Sequence, residues 1–248
     1  MFDRRRFFLA TLTMAAQGRT LAAKVTPDDA TTDLDQLGAF ERVLGRPGFV
    51  IGVPHGTPDA GTLQAGRILC ARLGFGGAFV TGFWNGKTRH RINVNRDSEQ
   101  LIGEHSEVLR QWKSPRAVAA TERYVALVKE AAQGQLQVFY EIHSNHRPQY
   151  TDSIQVSTRG ISRGEAERLK EAFTAARDRL DADVPRLDMH VSPLDRVTFP
   201  NYAHASAVSA ISVKGCAIEH PGHVFDRPPW RAAYAAVLAD AISEAKWS

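Results

Sequence analysis

The stretch Leu136-Gln-Val-Phe-Tyr-Glu-Ile-His143 decides how the chain is read. Leu136, Val138, Tyr140 and Ile142 alternate with Gln137, Phe139, Glu141 and His143, a period of two that predicts a strand. A helix should precede it. Ser114-Pro115 supplies a cap followed by proline at the first helical position, and the apolar spacing carries the helix to about Ala132. The same grammar repeats outward in both directions. Towards the N-terminus, Phe49 to Val53 reads as a strand, Thr62 to Leu73 as a helix and Ala78 to Thr81 as a second strand. Towards the C-terminus, Ser162-Arg-Gly-Glu165 forms a capping box before Ala166, Leu169, Phe173, Ala176 and Leu180 at helical spacing. Arg186 to Val191 and Ser212 to Glu219 are further strands. A last helix starts at Pro228-Pro229 and gathers Trp230, Tyr234, Val237, Ala241 and Ile242 on one face. Strands alternating with helices of this length imply an α/β fold, a mostly parallel or mixed sheet between layers of helix.

The 248 residues are 43% hydrophobic and 23% charged, enough apolar material for one large core in a single domain. No run approaches the ~18 consecutive apolar residues of a membrane span. The formal charge of +4 is concentrated at the start, where Arg4, Arg5, Arg6 and Arg19 face only Asp3. The rest of the chain is close to neutral, which argues against a nucleic-acid partner. Residues 1–23 read as an export signal: a basic start, the apolar run Phe7 to Ala16, then small residues at Ala22 and Ala23. Arg4-Arg5-Arg6-Phe7-Phe8-Leu9 resembles the twin-arginine pattern, so a periplasmic location is expected. Residues 24–48 are expected to be a linker and lead-in, and 49–248 the folded domain. Cys70 and Cys216 sit in apolar surroundings and read as buried free thiols.

Reactive side chains collect at strand ends, where sheets of this class bind ligands. The first strand ends in Pro54-His55-Gly56-Thr57-Pro58-Asp59, the third in Glu141-Ile142-His143-Ser144, and a late one in Glu219-His220-Pro221-Gly222-His223. Imidazoles and carboxylates brought to one edge are the donor set of a zinc site with a position open for water. The glycine- and proline-containing turn can direct both His55 and Asp59 onto one ion. His220 and His223 flank a Pro-Gly step and read as a surface turn. The polar segment Arg89 to Asp97 reads as a loop leaving the second strand, with Asn95 and Arg96 suited to gripping a carboxylate. Gly74-Phe-Gly76-Gly77 lacks the third glycine of a dinucleotide loop, and no phosphate-binding loop, H-E-x-x-H or G-x-S-x-G motif occurs.

Four short motifs in order, between about residues 49 and 226, resemble the N-formylglutamate amidohydrolase family, which is related to the zinc carboxypeptidases and succinylglutamate desuccinylase. They are Pro54-His55-Gly56-Thr57, Asn93-Val94-Asn95-Arg96, Glu141-Ile142-His143-Ser144 and the late Glu219. The resemblance implies a three-layer, zinc carboxypeptidase-like α/β/α sandwich with one zinc ion per chain. It makes His55 and His143 metal ligands, Glu219 the general base, Asn95 with Arg96 the holder of a substrate carboxylate, and Arg91 the group that polarises the scissile carbonyl. The chain departs from the pattern in three places. Pro58 stands where related carboxypeptidases have an acidic ligand, so Asp59 is taken as its substitute, and Asn93 and Glu141 replace aspartates. The expected activity is zinc-dependent hydrolysis of an amide bond in an N-acyl amino acid or short peptide bearing a carboxylate. A carboxypeptidase-like enzyme acting on peptide or cell-wall fragments, and a catalytically silent binding protein of the same fold, are the alternatives.

Overall fold

The computed structural model describes residues 33–103, 107–147, 151–198 and 202–246. The expected export signal, residues 1–23, lies outside them. In chain order the elements begin with α1 (Leu34–Leu37), β1 (Gly38–Val43), β2 (Arg46–Val53), α2 (Thr62–Leu73) and β3 (Phe75–Gly82). Four short strands follow, β4 (Trp84–Asn85), β5 (His90–Asn93), β6 (Ser98–Ile102) and β7 (Val108–Trp112). Then come α3 (Pro115–Ala132), β8 (Val138–Asn145), β9 (Ser153–Arg159), α4 (Arg163–Arg177) and β10 (Asp188–Val191). The chain closes with α5 (Tyr202–Ala205), β11 (Lys214–Pro221), α6 (Gly222–Phe225) and α7 (Pro228–Ala245).

The main sheet runs β1-β3-β2-β8-β11-β9-β10. Pairing is parallel through β3, β2, β8 and β11 and again between β9 and β10, but β1 and β9 meet their neighbours β3 and β11 antiparallel. The sheet is therefore mixed. Successive side chains alternate between its faces, and both faces are buried. Ile51, Phe79, Tyr140 and Ile218 face α2, α4 and α7. Val50, Val80 and Phe139 face α3. The result is the expected three-layer α/β/α sandwich. Its helices start where local chemistry dictates. The Ser114 hydroxyl accepts from the Ala117 amide at the start of α3, and Ser162 with Glu165 closes a reciprocal capping box on α4.

Three expectations need correction, and β9 is additional to the strands expected. Residues 24–48 are not only a lead-in: β1 pairs with β3 from Gly38↔Gly82 to Val43↔Gly77, and Phe40 packs against Phe83 at 5.3 Å between ring centroids. A strand is thus added at the sheet edge. Ser153 to Arg159, unassigned from the sequence, is β9, its Ile154 and Val156 filling the core. The polar stretch 89–97 is not simply a loop, because His90–Asn93 forms β5 of a second, antiparallel sheet ordered β4-β5-β6-β7. Asn95 and Arg96 lie in the turn between β5 and β6. His220-Pro-Gly-His223 is no surface turn. His220 is fully buried in β11 with its ring stacked on Phe225 at 4.0 Å, and only His223 is exposed. Cys70 and Cys216 are buried and free, and burial pushes both thiols up to about 12. Among the described residues no helix is long and apolar enough to cross a membrane.

Candidate active site

The carboxyl ends of β2, β8 and β11 lie side by side at the centre of the sheet, and a cavity of about 250 Å³ opens beyond them. The second sheet forms one of its walls. All seven residues expected from the sequence, His55, Asp59, Arg91, Asn95, Arg96, His143 and Glu219, line this one cavity.

Each is placed by a local device. After β2 the chain turns tightly, with the Asp59 amide donating to the His55 carbonyl at 2.9 Å and the Thr62 hydroxyl to the Asp59 carbonyl at 2.6 Å. The turn is pinned to the sheet by the Gly56 amide on the Val80 carbonyl at 2.9 Å, and a Cβ at Gly56 would sit 2.8 Å from that oxygen. Glycine is required at that position. His55 and Asp59 thereby face the cavity together. His143 and Glu219 become neighbours because β8 and β11 are parallel and in register at this pair.

His143 is the hub. Its Nδ1 stands 3.3 Å from Asp59 Oδ2 and its Nε2 3.3 Å from Glu141 Oε2. Glu141 is itself buried and fully engaged. Its Oε2 also accepts from Asn95 Nδ2 at 3.0 Å, and its Oε1 from the Ser206 hydroxyl at 3.0 Å. A proton on Nε2 directed at Glu141 turns Nδ1 towards Asp59, the arrangement by which a carboxylate orients a ligating histidine. Burial opposes charge on His143, but its hydrogen bonds with Asp59 and Glu141 and the negative field of Glu219 outweigh it, and its pKa rises to about 10. His55 goes the other way. Burial, and then the positive charges of Arg91, His143 and Arg96, hold it well below its ordinary value, so its imidazole is neutral. Burial raises the Glu219 carboxyl, against the charge of His143.

Two donors at about 2.0–2.1 Å from a tetrahedral zinc lie ~3.3 Å apart, and two imidazoles on one such ion have ring centroids roughly 5 Å apart. The Asp59–His143 separation of 3.3 Å and the His55–His143 centroid distance of 5.4 Å match those spacings. The donor set of two imidazoles and a carboxylate is also the right chemistry. Among the described residues, however, no three histidine, cysteine or acidic side chains close on one point as a finished metal cage. The residues fit the ion pairwise.

The polar wall is arranged differently from the simple clamp expected. Arg96 lies with its guanidinium carbon 4.3 Å over the Tyr202 ring, and its Nε is buried without a partner. Asn95 turns its amide nitrogen inward to Glu141 and leaves Oδ1 buried and unpartnered. Arg91 is held by Gln100. The sequence reading missed Gln100, Tyr202 and Ser206. No local pattern marks them, whereas Glu141 was placed on the His143 side of its strand by the period of two.

No protein-family model matches the chain, and no curated protein matches it. Solved structures do. A bacteriophage poly-gamma-glutamate hydrolase aligns with a TM-score of 0.50 at 11% identity, over 84% of this chain and 89% of that one. YndL, in a zinc-free apo structure, aligns with a TM-score of 0.52 at 12% identity, over 89% of this chain and all of that one (100%). This chain has their fold. At such low identity the likeness is one of architecture, and the three-layer α/β/α sandwich around a mixed sheet expected from the sequence is the architecture observed.

Proposed function

We propose that the chain is a zinc-dependent hydrolase that cleaves an amide bond in a substrate bearing a carboxylate, an N-acyl amino acid or a similar small molecule. The observation that carries this is the meeting of His55, Asp59, His143, Glu219, Arg91 and Arg96 in one cavity at the sheet edge. His55, Asp59 and His143 would hold the metal. Zinc bound there supplies Lewis acidity, lowering the pKa of water towards ~7 and polarising a carbonyl oxygen. Glu219 takes the proton of the attacking water and delivers it to the leaving amine, a role suited to a buried carboxylate with a raised pKa. Arg91 faces the carbonyl oxygen as negative charge builds on it, and Arg96 holds the substrate carboxylate. Metal analysis of the purified protein before and after chelation, with a panel of N-acyl amino acids and short peptides, tests the reading. Metal-free protein that binds no zinc, or zinc-loaded protein that hydrolyses none of the panel, would count against it.

Arg96→Lys keeps the charge but loses both the planar fork and the face that stacks on Tyr202. It should lower kcat/KM for a free-acid substrate about ten- to a hundredfold, the scale of one charge-assisted hydrogen bond. The wild type should reject the methyl ester of that substrate, and the variant should reject it far less. Equal wild-type rates on acid and ester would remove the clamp. Glu141→Gln should weaken zinc binding about 10- to 100-fold, as loss of a carboxylate behind a ligating histidine does, read by competition with a chelating dye. Unchanged affinity would mean that His143 is oriented without it.

The N-terminal reading extends the proposal to location. Exchange of Arg4 and Arg5 for lysine should retain the precursor in the cytoplasm, and the exported protein should lack residues 1–23. Exported protein that still carries Met1 would refute cleavage.

A further inference from the structure

Strand β6 presents two adjacent residues to two arginines on opposite faces of the small sheet. On the face turned from the cavity, Glu99 forms a two-pronged ion pair with Arg116, Nε to Oε1 at 2.7 Å and Nη2 to Oε2 at 2.6 Å. On the cavity face, Gln100 receives both Nε (3.1 Å) and Nη2 (2.5 Å) of Arg91 on its single amide oxygen. Gln100 Nε2 in turn donates to Gln111 Oε1 at 3.1 Å. Arg91, Gln100 and Gln111 are register partners across β5, β6 and β7, and all three line the cavity. The amide of Gln100, only 3% exposed, is therefore oriented from both sides, oxygen to the guanidinium and nitrogen to Gln111.

The contrast has a physical meaning. A carboxylate would bind a guanidinium more strongly than an amide does, and would cancel its charge. Arg116, which ties the sheet to α3, has that carboxylate. Arg91 has an acceptor of nearly the same shape and no charge, although its guanidinium is largely desolvated and its pKa is pushed down by burial, with the attraction of Asp59 opposing. Arginines elsewhere in the chain also donate to neutral acceptors, as Arg159 does to the Ser212 carbonyl, but Arg91 does so while lining the cavity, where a neutral acceptor holds the guanidinium without cancelling its charge.

We propose that Gln100 is a positioning residue that fixes Arg91 against the cavity through a neutral acceptor, so that the guanidinium keeps its full charge for a substrate oxygen. The inference rests on the reading of Arg91 as a substrate-facing group. Glutarate, a dicarboxylate with no scissile bond, serves as the probe, titrated calorimetrically into the full-length protein at pH 7. Hydrogen exchange of the Arg91 Nε–H, followed by NMR, reports the positioning without any ligand. Gln100→Glu preserves shape and acceptor but pairs with Arg91. It should leave the Nε–H as protected as in the wild type and weaken glutarate at least about tenfold. Gln100→Met removes the acceptor, and should speed Nε–H exchange at least about tenfold while also weakening glutarate. Should that variant fail to fold, Gln100→Asn, whose shorter amide falls short of the guanidinium, replaces it. A merely structural Gln100 predicts wild-type Nε–H exchange and wild-type glutarate affinity in the neutral variant, and that result overturns the inference while Arg91→Ala still abolishes binding. If Arg91→Ala binds glutarate as the wild type does, or if the wild type binds none, the reading of Arg91 falls and the inference with it.

Discussion

Glu219→Gln should keep its zinc and lose about 10²–10⁴ in kcat, the usual cost of removing a general base. The substitution is nearly isosteric and deletes only the ability to accept a proton at neutral pH. Glu219 stands on β11 directly beside His143 on β8, is 5% exposed and lines the cavity. Burial raises its pKa, with the charge of His143 opposing, which sets its basicity closer to that of the proton it must move. Since Glu219 is not among the expected ligands, metal content should match the wild type while initial rates on an N-acyl amino acid collapse. The folded state should not suffer either, because the variant no longer buries a carboxylate. Wild-type turnover would end the assignment. Glu141, the other carboxylate on this side of the sheet, is a poor replacement, because Ser206 occupies one of its oxygens and Asn95 and His143 the other.

His143→Ala should abolish zinc binding, and it should also cost stability even in metal-free protein. With three protein ligands there is no redundancy, so loss of one removes occupancy at micromolar metal. The second effect follows from the surroundings. In the protein alone His143 is the cation held between Asp59 and Glu141, with the charge of Glu219 close enough to act on it. Deleting it takes the hydrogen-bonded cation from Asp59 and leaves Glu141 with only the neutral donors Ser206 and Asn95, and removing one partner of a buried charge pair typically costs about 3–5 kcal/mol. Metal analysis and thermal melting of the chelated protein read the two effects separately. Full zinc occupancy in the variant would place the metal elsewhere. Asp59→Asn is the companion measurement. It keeps the shape of the turn while weakening the ligand, and unchanged occupancy there would redirect the search to another acid.

Much of the architecture is written locally. The predicted bounds of α2 and α3, Thr62–Leu73 and Pro115–Ala132, are those observed. Caps, proline at the first helical position and apolar spacing all act within a few residues of one another. The period of two around β8 correctly put Val138, Tyr140 and Ile142 on one face and Phe139, Glu141 and His143 on the other, because parity along a strand is intrinsic to its pleat. Leu136 lies before the strand begins and packs with the opposite layer instead. The candidate site was legible to the same depth. Residue type and position at strand ends named His55, Asp59, His143 and Glu219, the polar segment gave Asn95 and Arg96, and the family resemblance added Arg91; the fold gathers all seven.

What the sequence could not determine is everything set by pairing. Glu219 meets His143 only because β11 runs parallel to β8 in a particular register, with 75 residues between them in the chain. β9 was overlooked although Ile154 and Val156 alternate with polar neighbours. Its place between β11, which it meets antiparallel, and β10, which it meets parallel, depends on which buried faces fit, and no short-range pattern encodes that. The second sheet is the clearest case. A segment rich in arginine and asparagine reads as a solvated loop until β4 and β6 pair with it on either side, and only then does Gln100 come to face Arg91. Local sequence fixes which way a side chain points along its own strand. Which partner it meets there is decided by hydrogen-bond register and core packing between segments far apart in the chain, and those exist only in the folded structure.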